Sequence, residues 1–173
     1  MSAPYKLYFT GRDDPRNGCI MIGVDTKPIF FRFDTPDLFM GNARTSVTKG
    51  NGEVVAVFDW TSRNYLGSAT IGHRQVPMGR LIMTGTSPNG SRTFESGNGG
   101  MYAWRRRGSD SSAYDLLALP QASAVAIYRR FQQSTPVGPS YAYMQYRFDD
   151  DVLLLDSLLA LSLNRWFDIQ GGL

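Results

Sequence analysis

The chain has 173 residues, 42% of them hydrophobic and 13% aromatic, with a formal charge of +3. That length suits one domain, which buries roughly 70% of its unfolded surface. Its single cysteine, Cys19, excludes an intrachain disulfide and points to a reducing compartment.

The opening Met-Ser-Ala-Pro-Tyr-Lys lacks an apolar leader, and Ser2 stands where myristoylation needs glycine. The expectation is a cytoplasmic protein, peripheral at a membrane if it meets one. From Tyr5 to about Phe148 the chain then reads as short strands separated by turn residues. Tyr5, Leu7 and Phe9 alternate, and Ile29, Phe31 and Phe33 do the same. The clearest strand runs from Glu53 to Trp60, with Val54, Ala56, Phe58 and Trp60 on one apolar face. Lys49-Gly50-Asn51-Gly52 before it reads as a hairpin turn, with Thr45 to Thr48 as the partner strand.

Further strands are predicted at Leu81 to Met83, at Tyr102 and Trp104, at Leu116 to Leu119 and at Ala124 to Tyr128. A last one carries Ala142, Met144, Tyr146 and Phe148 on one side. The segments from Asp13 to Gly18, Ser87 to Gly90 and Gly97 to Gly100 are turns, and the loop from Arg107 to Ala113 reads as a mobile insertion. Regular short strands without βαβ alternation argue for an antiparallel sandwich or barrel.

The pattern changes after Asp149-Asp150-Asp151. Aspartate suits a helix N-terminus, and a helix is predicted from about 150 to 167. Asp156, Ser157, Ala160 and Asn164 form a narrow stripe on an otherwise apolar cylinder. The apolar run from Val152 to Leu163 is well short of the ~20 residues that span a bilayer. Burial inside the protein is the better reading. No lipid-anchor cysteine follows.

Several stretches, taken in order, carry a resemblance. They are Val55-Ala56-Val57-Phe58-Asp59-Trp60, Ser91-Arg92-Thr93-Phe94, Gly100-Met101-Tyr102-Ala103-Trp104-Arg105, Val125-Ala126-Ile127-Tyr128 and the closing Leu153-Leu154-Leu155-Asp156-Ser157-Leu158-Leu159. With them the chain resembles a basidiomycete family of uncharacterised tubby-like proteins. That family falls in a superfamily with tubby, scramblase and LURP-one-related proteins. The resemblance implies one domain over residues 1–173, mostly β: an antiparallel closed β-barrel surrounding one C-terminal hydrophobic α-helix. It implies no enzymatic activity, and the cysteine-rich flanks and terminal anchor of scramblases are absent.

The residues themselves offer no catalytic constellation. His73 is the only histidine, and Gly72-His73-Arg74 has no nucleophile elbow around it. One histidine and one cysteine cannot furnish a four-ligand zinc site, and the acidic clusters lack calcium-loop spacing. Cys19, before Ile-Met-Ile, reads as a small buried hydrophobe. Ser96-Gly97-Asn98-Gly99-Gly100 precedes a strand rather than a helix, so it is a hairpin loop and not a dinucleotide fingerprint. Neither a cofactor nor a metal is expected.

Trp104-Arg105-Arg106-Arg107 and Tyr128-Arg129-Arg130-Phe131 remain. Guanidinium groups beside aromatic rings suit phosphates at a membrane interface. Solvated strand ends that discourage edge pairing are the plainer account. The expected function is a non-enzymatic module for phosphoinositide or other anionic lipid headgroups, through Arg105, Arg106, Arg107, Arg129 and Arg130. A protein-interaction or structural domain, or a cytosolic glycan-binding defence protein using Tyr141 and Tyr143, is the alternative. Nucleic acid is not an expected partner, because Lys is confined to Lys6, Lys27 and Lys49.

Overall fold

Alternating side chains dictate strands through most of the chain. The computed structural model describes residues 4–11, 14–23, 28–36, 42–61, 65–84, 90–108 and 113–170. The first strands are β1 (Tyr5–Phe9), β2 (Cys19–Gly23), β3 (Ile29–Asp34), β4 (Arg44–Lys49) and β5 (Val54–Thr61). Next come β6 (Tyr65–Ile71), β7 (Arg74–Pro77), a 3₁₀ turn at Met78–Leu81, and the two-residue β8 (Met83–Thr84). The remainder are β9 (Arg92–Glu95), β10 (Met101–Arg106), β11 (Tyr114–Ala118), β12 (Ser123–Thr135) and β13 (Gly138–Tyr146), followed by helix α1 (Asp151–Ile169).

All described pairings are antiparallel and form one 13-stranded sheet in the order β7-β6-β5-β4-β3-β2-β1-β13-β12-β11-β10-β9-β8. Consecutive strands therefore pair throughout except β7 and β8, which lie at opposite edges, while β1 also pairs with β13, Leu7 opposite Met144. The ladders end at β7 and β8, so hydrogen bonds do not close the sheet. The 3₁₀ turn joins these two edges and touches β6, β7 and β9, with Met78 and Leu81 buried beneath it.

The helix begins where Asp150 caps it. Its carboxylate accepts from the N–H groups of Val152 at 2.9 Å and Leu153 at 3.2 Å. A hydrogen bond from the Asn98 side chain, with the Leu153 and Val152 amides, holds the Asp150 carboxyl below its ordinary range. From Leu153 to Trp166 every residue but Leu155 is buried, so α1 is enclosed on nearly every side. Its leucines share one core with Leu7, Phe33, Phe58, Phe94, Trp104 and Met144 from both halves of the sheet. Two backbone carbonyls tie the layers together: the Trp104 indole donates to Ser157 at 2.9 Å, and the Ser162 hydroxyl to Pro15 at 3.3 Å.

Some expectations change on contact with the structure. Leu81 to Met83 is not a full strand; it is the end of the 3₁₀ turn and the start of β8. Val54 is 54% exposed although Ala56, Phe58 and Trp60 are buried. A register shift between Val47 and Thr48 puts Val54 at the hairpin end, beyond the core. β6 is a strand that the alternation does not mark, and Gly67 lies within it. That glycine is required: a Cβ there would stand 1.9 Å from the Asp59 carbonyl oxygen, beside an irregular pairing. The expected turns at 13 and 87–89 and the core of the 107–113 loop lie outside the described residues.

Leu158 and Leu159 are fully buried in this core. Either Leu→Ala change is expected to cost about 2–5 kcal/mol in urea unfolding. Removing everything after Phe148 is expected to abolish the cooperative transition, and a truncated chain that still melts sharply would contradict the fold.

Candidate functional site

Strand parity sorts the arginines. On β10 the inward residues are Trp104 and Arg106, opposite Leu116 and Tyr114 of β11. Arg105 faces outward, opposite Asp115, which lies opposite Ile127 of β12. The row continues through Gln145 of β13 to Lys6 of β1. Four interstrand steps make this row roughly 19 Å long. The adjacent row runs from Arg129 through Tyr143 to Tyr8.

Asp115 gathers the cations on this face. It is 4% exposed. Its Oδ1 accepts from Arg129 at 2.7 Å and its Oδ2 from Arg105 at 3.2 Å, while Arg107 stands 3.7 Å from Oδ2. Arg129 also donates to the Tyr114 and Tyr128 carbonyls, both at 2.8 Å, so it is fixed in place. Arg107 is the freest of the three, with 59% of its side chain exposed. Beside them Lys6 sits 4.9 Å over the Tyr143 ring, and Phe131, 57% exposed, meets the same ring edge-on. These two rows thus hold four cations and one carboxylate, with three of the cations gathered on it.

Arg106 and Arg130 are not part of this face. Arg106 points inward toward the end of α1, its Nη1 3.9 Å from Asp168. Arg130 is exposed on the opposite parity, where the β12–β13 register shifts. Asp168 is in turn held by Arg92 at 3.0 Å and by the Tyr114 hydroxyl. Burial first, then the bond and charge of Asp168, push the Tyr114 phenol well above its ordinary value. Arg16 fills the space nearby, within 5 Å of both the Trp60 and Trp166 rings and paired with Asp14 at 2.9 Å. Trp104 points into the core, as its parity requires.

A second polar centre lies toward the other end of α1. Asp156 is 1% exposed, yet both its oxygens are used. Arg74 donates to Oδ1 at 2.6 Å, and the Ser96 hydroxyl and Gly97 amide to Oδ2 at 2.9 and 2.8 Å. The glycine-rich β9–β10 hairpin thus binds an anion, but one supplied by the protein's own helix. A Cβ on Gly97 would stand 2.8 Å from the Arg74 guanidinium carbon, so a side chain there would push on the arginine that holds Asp156.

His73 lies exposed in the β6–β7 turn. Cys19 is fully buried, and that burial raises its thiol pKa despite the nearby Arg165. Among the described residues no group of three His, Cys, Asp or Glu side chains could hold a metal ion. No described helix is long and apolar enough to cross a membrane.

Parity alone could have found Lys6, Asp115 and Tyr143 once β1, β11 and β13 were in register. No sequence signal paired Arg74 with Asp156 across 82 positions.

These features define a class by architecture: a β-rich domain, one antiparallel sheet whose core contains a C-terminal helix, with the buried Asp156 and Asn164 of that helix bonded to protein partners. Within that class the chain belongs to the Family of unknown function (DUF6593), whose model matches residues 13–160. No curated protein and no solved structure matches it.

The Asp156 centre yields a stability prediction. Arg74→Met strips a buried carboxylate of its cation and is expected to cost on the order of 3 kcal/mol. Adding Asp156→Leu is expected to recover part of that loss in chemical denaturation. Strictly additive losses would show that the two side chains do not interact.

Proposed function

We propose that the domain is a non-enzymatic binding module that docks on anionic lipid headgroups, phosphoinositides among them, at a membrane surface. The observation that carries this reading is the outer face of β10, β11, β12, β13 and β1. There Arg105, Arg107 and Arg129 gather on Asp115, and Lys6 lies on the same face three strands away. Asp115 and the two carbonyls hold Arg129 rigidly, which lowers the ordering cost of meeting a phosphate. Phe131 adds an exposed apolar ring beside the cations, suited to a headgroup interface. Arg106 and Arg130, expected from the sequence to join them, have no part in this proposal.

The tubby-like resemblance belongs to the same reading. On it, the sheet curls round α1 as a barrel, its single seam lying between β7 and β8. The 3₁₀ turn that connects those edges and buries Met78 and Leu81 supports this arrangement.

Each basic residue near an anionic membrane contributes about 1 kcal/mol, and salt screens it beyond ~8 Å. The test is co-sedimentation with liposomes containing or lacking phosphatidylinositol bisphosphate, at low and high salt. Binding is expected with the anionic vesicles and is expected to weaken as salt rises. Lys6→Gln with Arg107→Gln is expected to reduce it roughly 30-fold, for about 2 kcal/mol lost, with little change in melting temperature. Absence of binding to anionic vesicles at low salt would overturn the proposal in favour of a protein-interaction domain.

A further inference from the structure

A cavity of about 880 Å³ opens beside the first turns of α1, at the end of the sheet where β2 ends, β3 begins and the β4–β5 and β6–β7 hairpins turn. It is separate from the cationic face and uses none of its residues. Its size lies within the range of small-molecule sites.

The walls are apolar. Ile29, Phe31, Val55, Ile71 and Leu154 line it. Two exposed large hydrophobics, Val54 at 54% and Val152 at 47%, also belong to its lining. Leaving such side chains wet forfeits the free energy of burying apolar surface. An apolar occupant would recover it.

The polar groups set the chemistry of the occupant's head. Arg74 and Asp156 contribute opposite charges and are already joined at 2.6 Å. The lining further includes Lys49, Glu53 and Asp151, cation and carboxylates together. An ionised head of either sign meets like charge here as well as unlike charge, and sheds its hydration to lie against apolar walls. A hydroxyl or amide can both donate and accept, so it fits the mixed lining without a repelled charge. The Arg74 guanidinium spends Nη2 on Asp156 and keeps 38% of its side chain exposed, leaving it accessible to a neutral oxygen.

From this geometry we propose that the cavity binds an uncharged amphipathic molecule: an acyl-chain-like apolar body ending in a hydroxyl or amide. The apolar body lies against Ile29, Ile71 and Leu154, and the neutral head remains among Arg74, Lys49 and Glu53.

The probes are decanol, decanoate and decylamine, which share a chain and differ in head charge. Methyl NMR of the full chain reads their binding through Ile29, Val55, Ile71 and Leu154. Decanol is expected to produce saturable shifts confined to these methyls, with decanoate and decylamine binding at least tenfold more weakly. Val54→Trp, a change at an exposed position, is expected to weaken decanol binding at least tenfold with an unchanged melting temperature. Val152→Trp provides a second obstruction at the other exposed hydrophobic. Three results would each overturn the proposal: no saturable shift with decanol, equal binding of the three probes, or undiminished binding in both tryptophan variants. None of these readouts depends on anionic vesicles, so the cavity and the cationic face stand or fall separately.

Discussion

A carboxylate buried on an enclosed helix is several kcal/mol uphill unless partners meet its oxygens. Asp156 occupies that position, and its partners come from two different places in the sheet. Arg74 arrives from the start of β7, and Ser96 and Gly97 from the hairpin after β9. These elements lie near opposite edges of the ladder. Where hydrogen-bonded strands stop, the helix carboxylate thus supplies a common anchor for both sides. Leucine burial makes the helix an interior element, and the Asp156 contacts fix its rotation and depth.

The two ends of α1 then differ in a consequential way. At the C-terminal end, Arg16, Arg92 and Arg106 combine with Trp60, Trp166, Tyr114 and Asp168 to fill the space. At the N-terminal end the residues are Val152, Leu154 and Leu155, and a cavity remains between them and the hairpins. Arg16, lying over two indoles, and the arginines around Asp168 plug one end, while aliphatic side chains leave the other open. The outer face is a third, independent surface. There Asp115 holds guanidinium groups together instead of cancelling them. One carboxylate among four cations supports a surface attracted to anions without leaving a large unpaired charge inside the protein.

Much of this architecture is legible in the residues. Period-two alternation marks the inward faces of β1, β3 and β13, and Gly50 and Gly52 mark the β4–β5 turn. The aspartate run marks the helix start within a residue. The strands that escape are those whose neighbours set the pattern. β6 needs Gly67 because of the approach of Asp59, and β9 has only Phe94 as a buried anchor. The exposed end of β12, Gln132 to Thr135, has no apolar side to betray it. Two consecutive arginines on a strand necessarily point to opposite faces. That rule separates Arg105 and Arg107 from Arg106, and Arg129 from Arg130. The gathering of three arginines on Asp115 depends on strand register, and the pairing of Arg74 with Asp156 on the helix's place against the sheet, neither of which local pattern encodes.

The central claim is that α1 is an integral core element locked to both regions of the sheet. Native-state amide hydrogen exchange measures this directly. The account predicts that amides from Leu158 to Trp166 exchange only through global unfolding, with the same free energy and denaturant dependence as those of β1 and β13. Helix amides exchanging through a lower-energy opening, while β1 and β13 remain protected, would contradict it.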